Sequence, residues 1–417
     1  MTTVAGKGWF KDAALTRVLA LLNADGGEGR VVGGAVRNSL MGLPVADIDI
    51  ATTLLPNAVT KRAEAAGIKA VPTGIAHGTV TLVVDGKPFE VTTLRRDVET
   101  DGRHAEVAFS TDWQADAERR DLTINALYAR RDGEVVDLVG GLADIDKRNV
   151  RFIGDAARRI AEDRLRILRF FRFFAYYGSG RPDADGLRAC AAARSTLGSL
   201  SAERVWSEMK KLLGARDPGR ALLWMRQVSV LTEVLPETEK WGIDAIPSLV
   251  ATEQSLGWRP DAVLRLAAIV PPDADRLVKL AERLRLSKAE ALRLQAFATA
   301  PVVKDDISEA TLDRLLYVNG TDGIATRLKL ALAVARGKAE DDFDEMARSA
   351  RLGKLIAKLE RWEKPTFPVG GTDALNVGIG AGPRVGEILA AIEQEWIAGN
   401  FAMDRAALLA RLKDMAG

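Results

Sequence analysis

The sequence predicts an α+β protein: an N-terminal head built on a mixed sheet, followed by a chain that is helical to its end. Three observations carry this. Between about residues 28 and 138 the chain reads as short β-branched runs separated by turns, at 30–32, 46–51, 78–84, 89–94 and 135–138. From about residue 150 onward, Ala, Leu and Arg recur at three- and four-residue spacing, the period of a helix with one buried face. Gly and Pro interrupt that pattern at 178–182, 236, 271–272, 301 and 365–368, which divides it into several helical pieces. With 417 residues, 47% of them hydrophobic, the chain can bury more than one core. The expected division is a catalytic head over 1–148, then helical segments over 149–215, 216–300 and 301–417. No internal repeat or low-complexity segment is evident.

The first strand runs into Gly33-Gly34-Ala35-Val36-Arg37, and ten residues after the arginine comes Asp47-Ile48-Asp49. Taken alone, the double glycine is commonly just a turn, because glycine adopts positive φ freely. A strand–glycine–helix junction also points backbone N–H groups and a positive helix end at whatever lies above it, which suits phosphate. On a second strand, residues 47 and 49 project from the same face, so both carboxylates stand side by side where they can hold magnesium, while Ile48 and Ile50 face a core. Together the two halves point to nucleotidyl transfer from a nucleoside triphosphate.

Further along the sheet region, Glu90 is in register to be a third carboxylate of the metal site, an exposed strand glutamate being the alternative. Arg95-Arg96-Asp97 follows, and Asp101 to His104 reads as a flexible loop. In 118–126, Glu-Arg-Arg-Asp-Leu-Thr-Ile-Asn-Ala, residues Arg120, Asp121 and Asn125 are expected on one helix, with Asp121 and Asn125 one turn apart. That placement suits a ribose or a phosphate, although capping and surface pairing would use the same residues.

The stretch 161–172 holds the most mechanistic pattern. At about 100° per residue, Ile167, Leu168, Phe170, Phe171 and Phe174 share one sector, Arg166, Arg169 and Arg172 another, and Asp163 lies at the seam. Asp163 only accepts hydrogen bonds and Arg166 only donates them. The pair therefore complements a base that offers an exocyclic amine beside a bare ring nitrogen, which cytosine and adenine do and uracil and guanine do not. A surface ion pair one turn apart is the plainer reading of the same two residues.

Composition narrows the classes further. The net charge is only +2, but nine Lys and Arg stand against three acids between Lys147 and Arg172, so that this strip carries +6 and the rest −4. Such a focused cationic strip is what a polyphosphate or an RNA backbone requires. The single cysteine, Cys190, excludes an internal disulfide framework and fits a reducing compartment, so no disulfide-linked partner is expected. No run of 18 apolar residues and no basic-then-apolar leader is present, so a cytoplasmic protein without membrane contact is expected.

These motifs resemble those of the class II tRNA nucleotidyltransferases, the CCA-adding enzyme family that also contains bacterial poly(A) polymerases. Gly33-Gly34-Ala35-Val36-Arg37 with Asp47 and Asp49 is similar to its motif A, Arg119-Arg120-Asp121 with Asn125 to motif B, and Glu162-Asp163 with Arg166 and Arg169 to motif D. Asp137-Leu138, Gly140-Gly141, Arg151-Phe152-Ile153-Gly154-Asp155, Ser201, Glu203-Arg204 and Gly382-Pro383-Val385-Gly386 are also similar to the family. Asn38 departs from it, standing where aspartate is usual. The resemblance is dense through residue 215 and thin beyond.

It implies a polymerase-β-like head followed by neck, body and tail. It also implies Mg2+ on Asp47 and Asp49, an incoming nucleotide on Gly33, Gly34, Arg37, Arg120, Asp163, Arg166, Arg169 and Arg172, and addition of CMP and AMP from CTP and ATP to the tRNA 3′ end. Poly(A) addition, partial CC-only or A-only addition, and a catalytically silent RNA-binding protein are the alternatives. The only histidines, His77 and His104, both lie in the head. A paired His–Asp phosphohydrolase centre is therefore not expected in the helical part. The Gly382-Pro383 turn at a helix start is expected to serve the tail in holding tRNA.

Overall fold

The computed structural model describes residues 1–74, 78–97, 107–239, 241–339 and 342–416. The expected loop from Asp101 to His104, and both histidines, lie outside the described residues. The chain divides into two compact units, 1–200 with 220–234, and 201–219 with 235–417.

The first unit is the mixed-sheet head and the helices that follow it directly. Its strands are β1 (Gly29–Val32), β2 (Asp49–Thr52), β3 (Lys69–Gly74), β4 (Thr79–Val84), β5 (Lys87–Thr93), β6 (Arg95–Asp97), β7 (Val107–Phe109), β8 (Leu127–Ala129) and β9 (Val135–Asp137). Seven of them form one sheet in the order β3-β4-β5-β2-β1-β8-β9, and β6 pairs with β7. Among the described residues, only β2 and β5 run parallel, and every other pair is antiparallel. All four residues of β1 are buried, as the central position demands, whereas β4 alternates buried and half-buried residues.

Four strands, β3, β6, β7 and β8, escaped the sequence pattern, and β3 and β8 did so for opposite reasons. β3 is an edge strand with Pro72 inside it, a bulge between Val71 and Gly74 and no buried residue, so no alternation marks it. β8 is three residues long and buried throughout, too short for a period to show. The expected strand at 46–51 begins only at Asp49, which leaves Asp47 in the preceding loop, outside the ladder.

The helices of this unit are α1 (Ala13–Leu22), α2 (Gly34–Leu40), α3 (Pro56–Ala65), α4 (Trp113–Glu118), α5 (Gly141–Asp146), α6 (Ala156–Glu162), α7 (Arg166–Tyr177) and α8 (Ala184–Ala193), and the returning segment 220–234 adds the helices Gly219–Gln227 and Val230–Val234. Asp12 caps α1 by accepting from the amides of Ala14 and Leu15. Two expectations fail here. Arg120, Asp121 and Asn125 do not share a helix: α4 ends at Glu118, and Asn125 closes a separate 3-10 turn, Thr123–Asn125. Leu122, between them, is extended and bridges to Phe152. Asp163 and Arg166 do not share one either, because Asp163 is extended at the end of α6 while Arg166 opens α7. The Asp163 carboxylate accepts from the amide of Leu165, a local bond that favours the break. The apolar sector of α7 is as expected, with Ile167, Leu168, Phe170, Phe171 and Phe174 all buried and Phe170 stacked on Phe152 at 5.3 Å.

The second unit is helical throughout its described residues. One core gathers Leu312, Leu316, Leu328, Leu332 and Leu352 from the helices Glu309–Asn319, Thr321–Lys338 and Phe343–Leu359. A second joins Ile388, Ile392 and Trp396 to Leu408 and Leu412 of the last two helices. Gly382, at φ 150°, precedes the helix Pro383–Ala398, whose first turn carries the proline, as the Gly-Pro dipeptide predicts. Among the described residues, no helix is long and apolar enough to cross a membrane.

Candidate active site

The turn between β1 and α2 is built on Gly33. Its φ of 71° lies in the region that disfavours a side chain, and its amide donates to the Leu127 carbonyl of β8 at 3.0 Å. The turn is thereby pinned to the sheet, and α2 starts with Gly34 and carries Arg37 one turn on.

Arg37 is only 6% exposed. Its guanidinium donates to Oδ1 of Asn38 (2.9 and 3.1 Å), to the Tyr177 hydroxyl (2.7 Å) and to Oδ1 of Asn125. It lies over the Tyr177 ring at 4.1 Å. Burial pulls its pKa down, the Tyr177 hydroxyl working the other way. Asn38, the departure from the family pattern, thus orients Arg37.

Behind Asn125 stands Asp121. Its Oδ1 accepts from the Asn125 amide (3.1 Å) and the Leu122 N–H (2.8 Å), and its Oδ2 accepts from Arg169 at 2.7 and 2.6 Å. Burial would raise the Asp121 pKa, but Arg169 and the bond from Asn125 outweigh it and hold the carboxyl below the usual range. Motif B therefore links Arg37 of α2 to Arg169 of α7 through side chains. Arg172, half-buried, lies over Phe173 at 4.3 Å.

Arg120 takes a different anchor, one that sequence reasoning missed. Asp116, 1% exposed, accepts from Arg119 (2.7 and 2.9 Å), from Arg120 (3.1 and 3.2 Å) and from the Tyr128 hydroxyl (2.9 Å). The signal was present in the spacing, three and four residues before the two arginines. Glu162 plays the same part for Arg166, which donates to it at 2.6 Å and also to the carbonyls of Arg159 and Arg119. Arg166 is thus held by Glu162 and backbone oxygens rather than by the Asp163 carboxylate. Asp163 itself is half-buried at the junction of α6 and α7.

Asp47, Asp49 and Glu90 line one cavity of about 570 Å³. Glu90 of β5 is the direct partner of Asp49 in the parallel ladder, so the two side chains leave the same face of the sheet. Burial raises the Asp49 pKa, and the neighbouring charges of Glu90 and Asp47 raise it further, with Arg120 opposing. Among the described residues, no group of three His, Cys, Asp or Glu side chains forms a complete metal cage. Two carboxylates with excess negative charge are nonetheless what magnesium needs, since it takes hard oxygen donors and completes its shell with water and substrate phosphates.

The comparisons with known proteins agree with this geometry. Residues 29–151 match the poly A polymerase head domain, and residues 182–241 match a probable RNA- and SrmB-binding site of polymerase A. The mitochondrial CCA tRNA nucleotidyltransferase 1 of Homo sapiens is 35% identical over 395 residues, 93% of this chain and 86% of the relative. The CCA-adding enzyme of Lacticaseibacillus paracasei is 29% identical over 388 residues, 92% of this chain and 91% of the relative. Among solved structures, the Bacillus stearothermophilus CCA-adding enzyme in complex with CTP superposes with a TM-score of 0.74 at 27% identity, covering 96% of each chain. The Thermotoga maritima enzyme complexed with tRNA shares the fold, with a TM-score of 0.66 at 19% identity over 96% of this chain and 94% of the other. Family members generally use a divalent metal. A glycine turn that leads into the helix of a buried arginine, two carboxylates at the start of the adjoining strand and matches along nearly the whole length lead to one conclusion: the chain belongs to the CCA-adding enzymes, the CCA tRNA nucleotidyltransferases.

Proposed function

We propose that the protein adds CMP and AMP, from CTP and ATP, to the 3′ end of tRNA, building or repairing its CCA terminus. The observation that supports this most directly is the Asp47–Asp49 carboxylate pair in a head where Asn125 and Asp121 link Arg37 to Arg169 and Asp116 separately anchors Arg120. Bound to Asp47 and Asp49, Mg2+ would supply Lewis-acid charge, one ion at the attacking RNA 3′-hydroxyl and a second at the departing pyrophosphate. The 3′-oxygen bonds to the α-phosphorus, the bond to the bridging oxygen breaks, and the hydroxyl proton passes to water.

The chain's own residues position and charge the reactants. The Gly33-Gly34 turn with Arg37, Arg120, Arg169 and Arg172 holds the triphosphate. Asp121 and Asn125 fix the donors of Arg169 and Arg37 and approach the ribose. Asp163 accepts from the exocyclic amine of cytosine or adenine while Arg166, steadied by Glu162, donates to the ring nitrogen. The segments 1–148, 149–215, 216–300 and 301–417 act as head, neck, body and tail, the last contacting tRNA through the turn at Gly382-Pro383. A reducing compartment, the cytoplasm, suits a chain whose one cysteine is buried.

Metal-dependent incorporation of labelled CTP and ATP into tRNA lacking its last three nucleotides tests the reading. Addition of two cytidines and one adenosine supports it. A long adenosine tract on unrelated RNA, CC or A alone, or binding without transfer would replace it with poly(A) addition, a partial activity or an RNA-binding role.

A further inference from the structure

We propose that the cavity beside Asp47 and Asp49 seats the terminal nucleoside of the RNA, with Trp9 as its stacking platform; this rests on the reading of the protein as a CCA-adding enzyme. In-line attack requires the 3′-hydroxyl and the leaving pyrophosphate to approach the α-phosphorus from opposite sides. The two substrates therefore need separate seats that meet at the carboxylates. They differ in charge, since one end is a triphosphate and the other a nucleoside.

The cavity has the composition of the second seat. No arginine lines it, and its single cation, Lys87, is already paired with Asp12. Four carboxylates, Asp12, Asp47, Asp49 and Glu90, share it with that one lysine. A triphosphate would be repelled there, whereas an uncharged nucleoside pays no such penalty. Trp9, Val45 and Pro88 supply apolar wall and Thr81 a hydroxyl. At about 570 Å³ the space lies within the range of small-ligand pockets.

Trp9 is suited to be the platform because it lines the cavity half-buried and is held in place. Its indole Nε1 donates to the Ser39 hydroxyl at 3.0 Å, and it packs against Phe10 in a T-shaped pair at 5.3 Å and 90°. Ser39 belongs to α2, the helix that carries Arg37, so one rigid element steadies a residue of each seat. Stacking tolerates any base. That tolerance matters for an RNA whose terminal base changes as each nucleotide is added, and it leaves base choice to the other seat.

The experiment uses the full chain with Mg2+, CTP and a tRNA ending just before its CCA. Trp9→Leu keeps apolar volume without a ring, Trp9→Phe keeps a ring, and Val45→Phe fills the cavity from the loop that precedes β2. Trp9→Leu and Val45→Phe are expected to raise the KM for tRNA about tenfold while the KM for CTP stays within about twofold, and Trp9→Phe is expected to recover most of the loss. If Trp9→Leu and Val45→Phe leave the tRNA KM at the wild-type value, or raise the CTP KM instead, the cavity is not the seat of the RNA end. Should the wild-type protein add neither CMP nor AMP, the functional reading falls, which is a separate outcome.

Discussion

Both units bury an arginine, and the two are buried on different terms. Arg265, in the helical unit, is fully buried; its Nε and Nη2 bond Glu253, the latter at 2.5 Å, and its Nη1 donates to the carbonyls of Leu213 and Ala215. Arg37, in the head, has among the described residues only uncharged acceptors: Asn38, Asn125 and Tyr177. The first cation is neutralised where it lies and ties together the end of the helix Ala202–Leu213 and the segment after it. The second is hydrogen-bonded but not neutralised, and burying a charge on those terms is costly unless a ligand supplies the opposite one. Asp49 is its mirror image, a carboxylate crowded by Glu90 and Asp47. Charges satisfied by the protein maintain architecture, and under the function proposed above the charges left over are where the substrate and its metal would complete the structure.

The largest effect expected from this contrast is at the carboxylates. Asp49→Asn or Asp47→Asn should lower nucleotide transfer by at least about 10³-fold, because Lewis-acid charge contributes several kcal/mol to the transition state. The thermal midpoint should not fall, since removing a crowded charge relieves repulsion. Initial rates and calorimetry on the same preparations decide it, and near-wild-type turnover would remove the metal assignment.

Next comes the architectural arginine. Arg265→Met leaves Glu253 buried and unpaired and should cost about 3–5 kcal/mol of stability in urea titrations. The double variant Arg265→Met with Glu253→Leu should recover most of that. The KM for CTP, measured on folded protein, should not move. A change in nucleotide affinity without loss of stability would break the contrast.

Arg37→Gln should do the reverse, raising the KM for both CTP and ATP about 10- to 100-fold, the worth of a charge-assisted bond to phosphate. Its unfolding midpoint should change little, because the acceptors around Arg37 are neutral. A severe loss of stability with intact nucleotide affinity would make Arg37 another Arg265.

The smallest effect is a matter of pH. Asp121 has a folded pKa below its unfolded value, so the stability it contributes is present above the unfolded pKa and is lost as pH falls through the folded one. Asp121→Asn should therefore be less stable than wild type by on the order of 1 kcal/mol at pH 7, with the gap closing as the pH drops below the usual carboxylate range. A gap that is constant from pH 7 to pH 2 would mean that the Arg169 pair contributes nothing through charge.

Several parts of the site were legible because they depend on neighbours in the chain. The glycine turn needs only a residue that accepts positive φ, and the Asp-x-Asp spacing needs only the two-residue period of an extended chain. The buried face of α7 needs only the helical period. Other parts were not legible. The break at Asp163 arises from one side-chain bond to the Leu165 amide, which periodicity does not register. Tyr177, 140 residues from Arg37, gave no signal at all as its partner.

By itself the sequence determined the α+β class, the position of the glycine turn, the spacing of the two carboxylates and the concentration of arginines between 147 and 172. Each of these is a local property, fixed by backbone conformation or residue type over a few positions. Only the tertiary structure decided which arginines are neutralised and which are left for a ligand. That outcome depends on whether folding brings a carboxylate, as at Asp116 and Glu253, or only a neutral oxygen, as around Arg37, to the guanidinium, and charge balance over such distances is a property of the folded surroundings.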